Sequence, residues 1–173
     1  MKKRYRARPG HGILFSPREK LMAIICAAVS LVSALVIRLI VGPLYRVIAY
    51  CNLRGILPPV WLMFLLWSLW YILLGAAFGM VLGCWPGPYE AVKYKGGMLF
   101  VLMMALGYIW YPLFFGAAAL FFALLVCEAV LVLSVLCAFC FLRVKRAAAL
   151  VMFAFSAFMI YMVVLNILCL FTN

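Results

Sequence analysis

The segment PPVWLMFLLWSLWYILLGAAFGMVLG, residues 58–83, contains no charged side chain. A helix needs about 20 predominantly apolar residues to cross the hydrocarbon core of a bilayer. Pro58 and Pro59 suit the first turn of such a helix, because the N–H groups there have no partner within the helix. The turn residues 84–88, CWPGP, then end it. The segment therefore predicts a transmembrane helix.

Four further apolar runs of similar length flank this segment. They predict helices over Leu21–Val41, Gly96–Phe115, Ala117–Leu142 and Ala147–Leu170. The chain is 72% hydrophobic and only 10% charged, whereas a soluble domain is closer to half apolar. The sequence therefore predicts an all-α integral membrane protein, a five-transmembrane-helix bundle. Residues 1–20 are expected to form a basic cytoplasmic tail, and residues 21–173 one membrane domain.

The basic residues follow the ends of the apolar runs. The net charge is +12, but seven of the 15 Lys and Arg residues lie in the first 20 positions, so no nucleic-acid partner is expected. The positive-inside rule places the N-terminus in the cytoplasm and the C-terminus outside. We expect a multi-pass protein of the cell membrane, with a mitochondrial membrane as the alternative.

The sequence offers no catalytic or metal-binding set. His11 is its one histidine, and the pair Cys137-x-x-Cys140 lies inside a predicted span, where packing explains it. Its three acids, Glu19, Glu90 and Glu128, lie on different elements. Glu128 is the one acid deep in a span; it either faces the interior and functions, or is protonated and hydrogen-bonded to a neighbour. We therefore expect neither an enzyme nor a required cofactor.

Aromatic side chains gather toward the predicted outer half of the bundle. Trp67 and Trp70 lie too deep for an interfacial belt, so either packing or an aromatic pocket explains them. Arg46 and Arg54 lie in the loop predicted above this cluster. Cations above an aromatic pocket suit a flat apolar ligand with carboxylates at its edge, such as a tetrapyrrole. Alternatively, both arginines are solvated or contact lipid phosphate.

Residues 58–75 resemble the signature of the TspO/MBR family, the tryptophan-rich sensory proteins or translocator proteins. The motif PPxW is followed by Trp67, Tyr71 and Gly75 at the family spacing. Four other segments resemble family motifs in the same order: Gly42–Tyr45, Trp110–Gly116, Arg143–Arg146 and Leu165-Asn166. The resemblance implies a five-helix bundle, often dimeric, with a ligand cavity under the first loop.

The resemblance also implies a function. We expect a membrane sensory protein that binds porphyrins (protoporphyrin, haem) or sterol-like ligands, linked to tetrapyrrole metabolism or transport. Its partners would be membrane lipid, that ligand and a second copy of the chain. The alternatives are a small-molecule transporter or channel, and a porphyrin-degrading enzyme. The predicted ligand-binding residues are Trp61, Phe64, Trp67, Tyr71, Trp110, Phe155, Phe158, Asn166, Arg46 and Arg54.

The chain departs from the family at several polar positions. Gly107 stands where the family has Asn in the third helix, and Val126 where it has an acid in the fourth. The cavity is thus expected to keep its aromatic character with fewer polar groups. Separately, Gly75, Gly79 and Gly83 form a small-xxx-small ridge, which predicts close packing either within the bundle or across a dimer.

Overall fold

Five helices, each long and apolar enough to span a membrane, make up the fold. A computed structural model describes residues 16–41, 59–85 and 87–172. The helices are α1 (Pro17–Val41), α2 (Val60–Gly83), α3 (Glu90–Tyr111), α4 (Leu120–Val144) and α5 (Arg146–Thr172). The described residues contain no strand, and the predicted fold class is confirmed. Residues 1–15 of the predicted tail, the predicted loop over residues 42–57, and Pro58 lie outside the described residues.

The first helix begins four residues earlier than predicted. The backbone N–H of Ser16 donates to Glu19 Oε2 at 3.1 Å, and the backbone N–H of Glu19 donates to Ser16 Oγ at 3.2 Å. This reciprocal pair is a capping box, which satisfies N–H groups that the first helical turn leaves without partners. The helix therefore includes Pro17 to Lys20, which the sequence places in the predicted tail.

The boundaries of α3 and α4 also differ from prediction. α3 begins at Glu90 rather than Gly96, after a short 3₁₀ turn over Gly87–Tyr89. It ends at Tyr111, and Pro112–Gly116 continues as a single π-helical turn. Pro112 has no N–H to donate, which favours such a widened turn. As a result α4 begins at Leu120 instead of Ala117.

The helices pack in two groups. α1 packs mainly against α2, while α4 lies between α3 and α5, and α2 contacts α5. We call the end of the bundle that holds the start of α1 and the α4–α5 turn the N-terminal end. The other, which holds the ends of α1 and α5, is the C-terminal end.

The glycine ridge of α2 is covered by α1 of the same chain. A Cβ atom at Gly79 would lie against the backbone carbonyl of Met22, and one at Gly83 would lie 2.7 Å from the Cα atom of Glu19. Only glycine permits this approach of two backbones. The ridge therefore packs within the bundle and is not free to pair with a second copy.

A buried polar network closes the N-terminal end. Lys145 Nζ lies 3.0 Å from Glu19 Oε2, and the two side chains are 5% and 11% exposed. Cys84 Sγ donates to Glu19 Oε1 at 3.1 Å. Burial, and then the hydrogen bond to Glu19, raise the pKa of the Cys84 thiol to about 11, so it stays protonated and able to donate. Lys93 Nζ donates to the carbonyl oxygens of Leu82 and Cys84 at the end of α2. The network joins residues from α1, α3 and the ends of α2 and α4.

We predict that Lys145→Met lowers the free energy of unfolding by about 3 kcal/mol, because the carboxylate of Glu19 would remain buried without its cation. The measurement is reversible unfolding in detergent micelles. Glu19→Gln combined with Lys145→Met should recover part of the loss, since the second change removes the unpaired charge. Lys20→Met, at an exposed lysine of the same helix end, is the control. An equal loss of unfolding free energy in Lys145→Met and Lys20→Met would contradict the prediction.

We predict that Gly79→Ala lowers the thermal unfolding midpoint, whereas Gly97→Ala leaves it unchanged or raises it. The new methyl group at Gly79 would collide with the α1 backbone, whereas at Gly97 it would lie 3.7 Å from the ring of Phe78, an ordinary contact. Alanine also has the higher helix propensity, so a loss at position 79 must come from packing. Equal midpoints for the two variants would show that α1 does not lie against the ridge.

Candidate functional site

Aromatic rings from α2, α3 and α5 form one cluster toward the C-terminal end. Trp67 stacks on Trp110 with ring centroids 5.4 Å apart, and Tyr71 stacks on Tyr108 at 5.5 Å. Phe158 meets Trp67 edge-on at 5.5 Å. Trp67 and Tyr71 share one face of α2 because they are four residues apart, and the packing of α3 and α5 brings the other rings against that face. The cluster forms the walls of two neighbouring cavities.

The first cavity, here called the lateral cavity, lies between α1, α2 and α3. It holds about 590 Å³ of empty space, a figure that includes its open mouth. Its lining combines aliphatic side chains of α1 with the aromatic residues Phe64, Trp67, Tyr71, Tyr108, Trp110, Tyr111 and Phe115. It can therefore enclose an apolar ligand and present ring faces to it.

Two of the residues that line the lateral cavity carry a hydrogen-bond donor without a partner. Trp67 Nε1 and Tyr111 Oη are buried and make no hydrogen bond to any described residue. Arg38 also lines the cavity, with its guanidinium carbon 3.7 Å above the ring of Phe64, a cation–π contact that holds the charge there. The residues that line the cavity therefore carry two donors without partners and one cation.

The second cavity, the central cavity, lies between α2, α3, α4 and α5. It holds about 400 Å³ of empty space and is lined almost entirely by apolar and aromatic side chains. Trp67, Tyr71 and Trp110 line both cavities, so these three rings separate them. Gly107 lines the central cavity, and a Cβ atom there would meet no heavy atom within 4 Å. The absence of a side chain at Gly107 thus leaves space inside the bundle.

Asn166 supports the cluster from α5. It is fully buried, its Oδ1 accepts from Trp110 Nε1 at 3.4 Å, and its Nδ2 donates to the carbonyl oxygen of Met162 at 2.7 Å. The amide therefore orients the indole ring of Trp110. Phe155 lines the central cavity, and Phe158 packs behind Trp67 and Trp70 without lining either cavity.

The other predicted site residues lie elsewhere. Trp61 is at the start of α2, is 67% exposed and lines neither cavity. Arg46 and Arg54 lie outside the described residues. Sequence reasoning did not select Arg38 or Tyr111 for the site. Arg38 carried no distinct signal, because cations are common near the ends of spans. The orientation of Tyr111 depends on how α3 meets α1.

Remaining candidates for chemistry lie apart from the cavities. Glu128 is exposed on α4, so the interpretation that it faces the bundle interior is wrong. Cys137 is fully buried and donates to the carbonyl oxygen of Gly96 at 3.5 Å, which agrees with a packing role. Within the described parts of the chain, no group of three or more His, Cys, Asp or Glu residues could hold a metal ion.

Comparison with known proteins gives one match. The model of the TspO/MBR family matches residues 21–171 of the 173-residue chain. No curated protein and no solved structure matches. The family match covers all five helices except the first turn of α1 and the last residue of α5.

We predict that Gly107→Leu raises the thermal unfolding midpoint, because the side chain fills empty space in the central cavity. Gly107→Ala is the matched control, since it supplies the gain in helix propensity with almost no added volume. Thermal unfolding in one detergent compares the two variants. A midpoint for the leucine variant below that of the alanine variant would show that the central cavity is not available to a side chain from position 107.

Proposed function

Because this chain belongs to the TspO/MBR family and is a membrane sensory or ligand-binding protein, we propose that it binds a porphyrin, such as protoporphyrin or haem, or a sterol-like molecule. The lateral cavity is the proposed site. Membrane lipid surrounds the five helices, and a second copy of the chain is the proposed protein partner. The bound molecule would be a ligand, linked to tetrapyrrole metabolism or transport, and not a required cofactor.

The observation that carries this proposal is the pair of unpartnered donors. A buried polar group without a hydrogen bond costs about 1–3 kcal/mol, so such groups are rare in folded proteins. Trp67 and Tyr111, which carry these two donors, both line one cavity. A ligand with oxygen acceptors would satisfy both donors. An apolar filler such as a lipid tail would satisfy neither.

The ring faces favour a flat ligand. The rings of Trp67 and Trp110 are stacked with an interplanar angle of 29°. The rings of Tyr71 and Tyr108 are stacked with an interplanar angle of 18°. Offset stacking of aromatic planes contributes about 0.5–1.5 kcal/mol per pair beyond area burial. A macrocycle could extend this stack, whereas a sterol would use the same walls through apolar contact alone.

Arg38 separates the two ligand classes. Its cation lies beside the lateral cavity, where a carboxylate at the edge of a porphyrin would form a charge-assisted hydrogen bond. A sterol hydroxyl gains much less from that cation. Dependence of binding on Arg38 would therefore identify the carboxylate-bearing class.

The alternative functions receive less support. A transporter or channel needs a polar path through the bundle, and Glu128, the one acid deep in a span, lies on the exposed face of α4. A porphyrin-degrading enzyme would use tryptophan close to bound porphyrin. Analysis of protoporphyrin after incubation with the protein in light and in the dark distinguishes that case from plain binding.

Charge supports an orientation with the N-terminus in the cytoplasm of a cell membrane. Among the described residues, the N-terminal end holds seven basic side chains: Arg18, Lys20, Lys93, Lys95, Arg143, Lys145 and Arg146. Among the described residues, Arg38 is the one basic side chain at the C-terminal end. Labelling of an N-terminal tag by a membrane-impermeant reagent is the check, and labelling from outside intact cells would reject this orientation.

We predict that protoporphyrin quenches tryptophan fluorescence of the purified protein and saturates at micromolar concentration. Trp67→Phe keeps a ring but removes the N–H donor, so the affinity should fall about tenfold, the equivalent of one lost hydrogen bond. Arg38→Met keeps an apolar stem without the charge and should weaken protoporphyrin binding by a similar factor, while binding of an uncharged sterol stays unchanged.

Trp85→Phe is the matched control for this titration. Trp85 is 76% exposed beyond the end of α2 and lines neither cavity, so its replacement removes one indole without touching the proposed site. Equal affinity of the wild type and Trp67→Phe would reject the site. Absence of saturation with both protoporphyrin and the sterol would reject the proposed function itself.

A further inference from the structure

Glu128 lies on the outer surface of the bundle, far from either end of its helix. It is eight residues from Leu120 and sixteen from Val144, the two ends of α4. Eight residues correspond to about 12 Å along the helix axis. Glu128 is exposed, and no hydrogen bond or ion pair joins it to another described residue. An acidic side chain thus lies about a third of the way along the span, on the surface that would face lipid.

The residues around Glu128 form a continuous exposed stripe, here called the α4 stripe. Its members recur every three or four residues: Phe121, Leu125, Glu128, Val132, Leu136 and Phe139. The apolar members are each 46% to 58% exposed. The opposite face of α4, which includes Cys127, Ser134 and Phe141, is buried against the rest of the bundle. Rotation of the helix therefore directs Glu128 away from both cavities, to which α4 contributes only Val130.

An ionisable side chain in the bilayer core is costly, and such residues almost always face protein or water rather than lipid. A glutamate on an otherwise apolar helix face therefore points to a second protein surface that covers it. Helices in a membrane gain little from apolar burial alone, and polar side chains that hydrogen-bond across the interface hold them together.

We propose that the α4 stripe pairs with the α4 stripe of a second copy of this chain, with the two Glu128 carboxyl groups hydrogen-bonded to each other. Two copies inserted in the same orientation relate by a two-fold axis along the membrane normal, so each residue on the axis meets its own counterpart. A protonated carboxyl group both donates and accepts, which makes it complementary to itself. The exposed apolar residues on either side of Glu128 would pack as the rest of the interface.

Other features of the chain agree with this choice of partner. A partner helix with a buried cation would also satisfy Glu128, but among the described residues no Lys or Arg lies at that depth in a span. In a second copy, the group that meets Glu128 is therefore the carboxyl group of the other Glu128. The glycine ridge of α2, the other surface suited to close pairing, is already covered by α1. This inference deepens the proposed homodimer and is independent of ligand identity.

The test measures energy transfer between donor- and acceptor-labelled copies reconstituted together in phosphatidylcholine vesicles. Transfer above the level of a monomeric membrane protein is expected for the wild type. It should fall to that background in Glu128→Leu, which removes the hydrogen-bonding group, and be retained in Glu128→Gln, whose amide also donates and accepts. Retention of transfer in Glu128→Leu would overturn the proposal and assign the dimer to another surface.

A second pair of variants keeps the test decisive if replacement of Glu128 disturbs folding. Leu125→Trp adds bulk on the α4 stripe, whereas Leu102→Trp adds the same bulk at a similarly exposed leucine of α3; the two leucines are 46% and 51% exposed. Loss of transfer only in Leu125→Trp supports the stripe as the interface. Equal transfer in both variants, or background transfer in the wild type, would reject it. Since ligand titration uses the same samples, failure of pairing and failure of binding are scored separately.

Discussion

The absence of water in the bilayer core is the constraint on which this structure depends. Backbone N–H and C=O groups in hydrocarbon must find partners within the chain, so each span is a continuous helix. The same constraint directs polar side chains to the ends of the bundle or to internal cavities. Two such contacts lie at helix ends: the capping box of Ser16 and Glu19, and the hydrogen bonds of Lys93 to the end of α2. They supply partners to terminal backbone groups that have none within the helix.

The two ends of the bundle use polar groups differently. At the N-terminal end, Glu19, Lys145 and Cys84 satisfy one another, and this contact fastens α1 to the turn between α4 and α5. At the C-terminal end, the buried donors of Trp67 and Tyr111, two residues that line the lateral cavity, have no partner among the described residues. A satisfied network rigidifies its surroundings, whereas unsatisfied donors are a feature of sites that receive a ligand. The fold therefore combines one end whose buried polar groups satisfy one another with one end that has cavities and unpartnered donors.

Part of the candidate site could be predicted from spacing. Trp67 and Tyr71 are four residues apart on one helix, and their common face follows from helical geometry alone. Trp110 and Asn166 were predicted from motif resemblance, and the structure joins them by a hydrogen bond. Arg38 and the empty space at Gly107 were not predictable in this way, because both depend on the distance between helices that are apolar on every side.

The sequence by itself determined the number of spans, their approximate positions and the family, because hydropathy and short motifs are local properties of the chain. Only the tertiary structure decided which polar groups meet. Glu19 and Lys145 are 126 positions apart and are brought together by the packing of α1 against the bundle. Likewise Glu128 faces outward because α4 turns its small and buried residues toward α3 and α5. A uniformly apolar helix carries no pattern that reveals its rotation, so that rotation is set by the shapes of its neighbours.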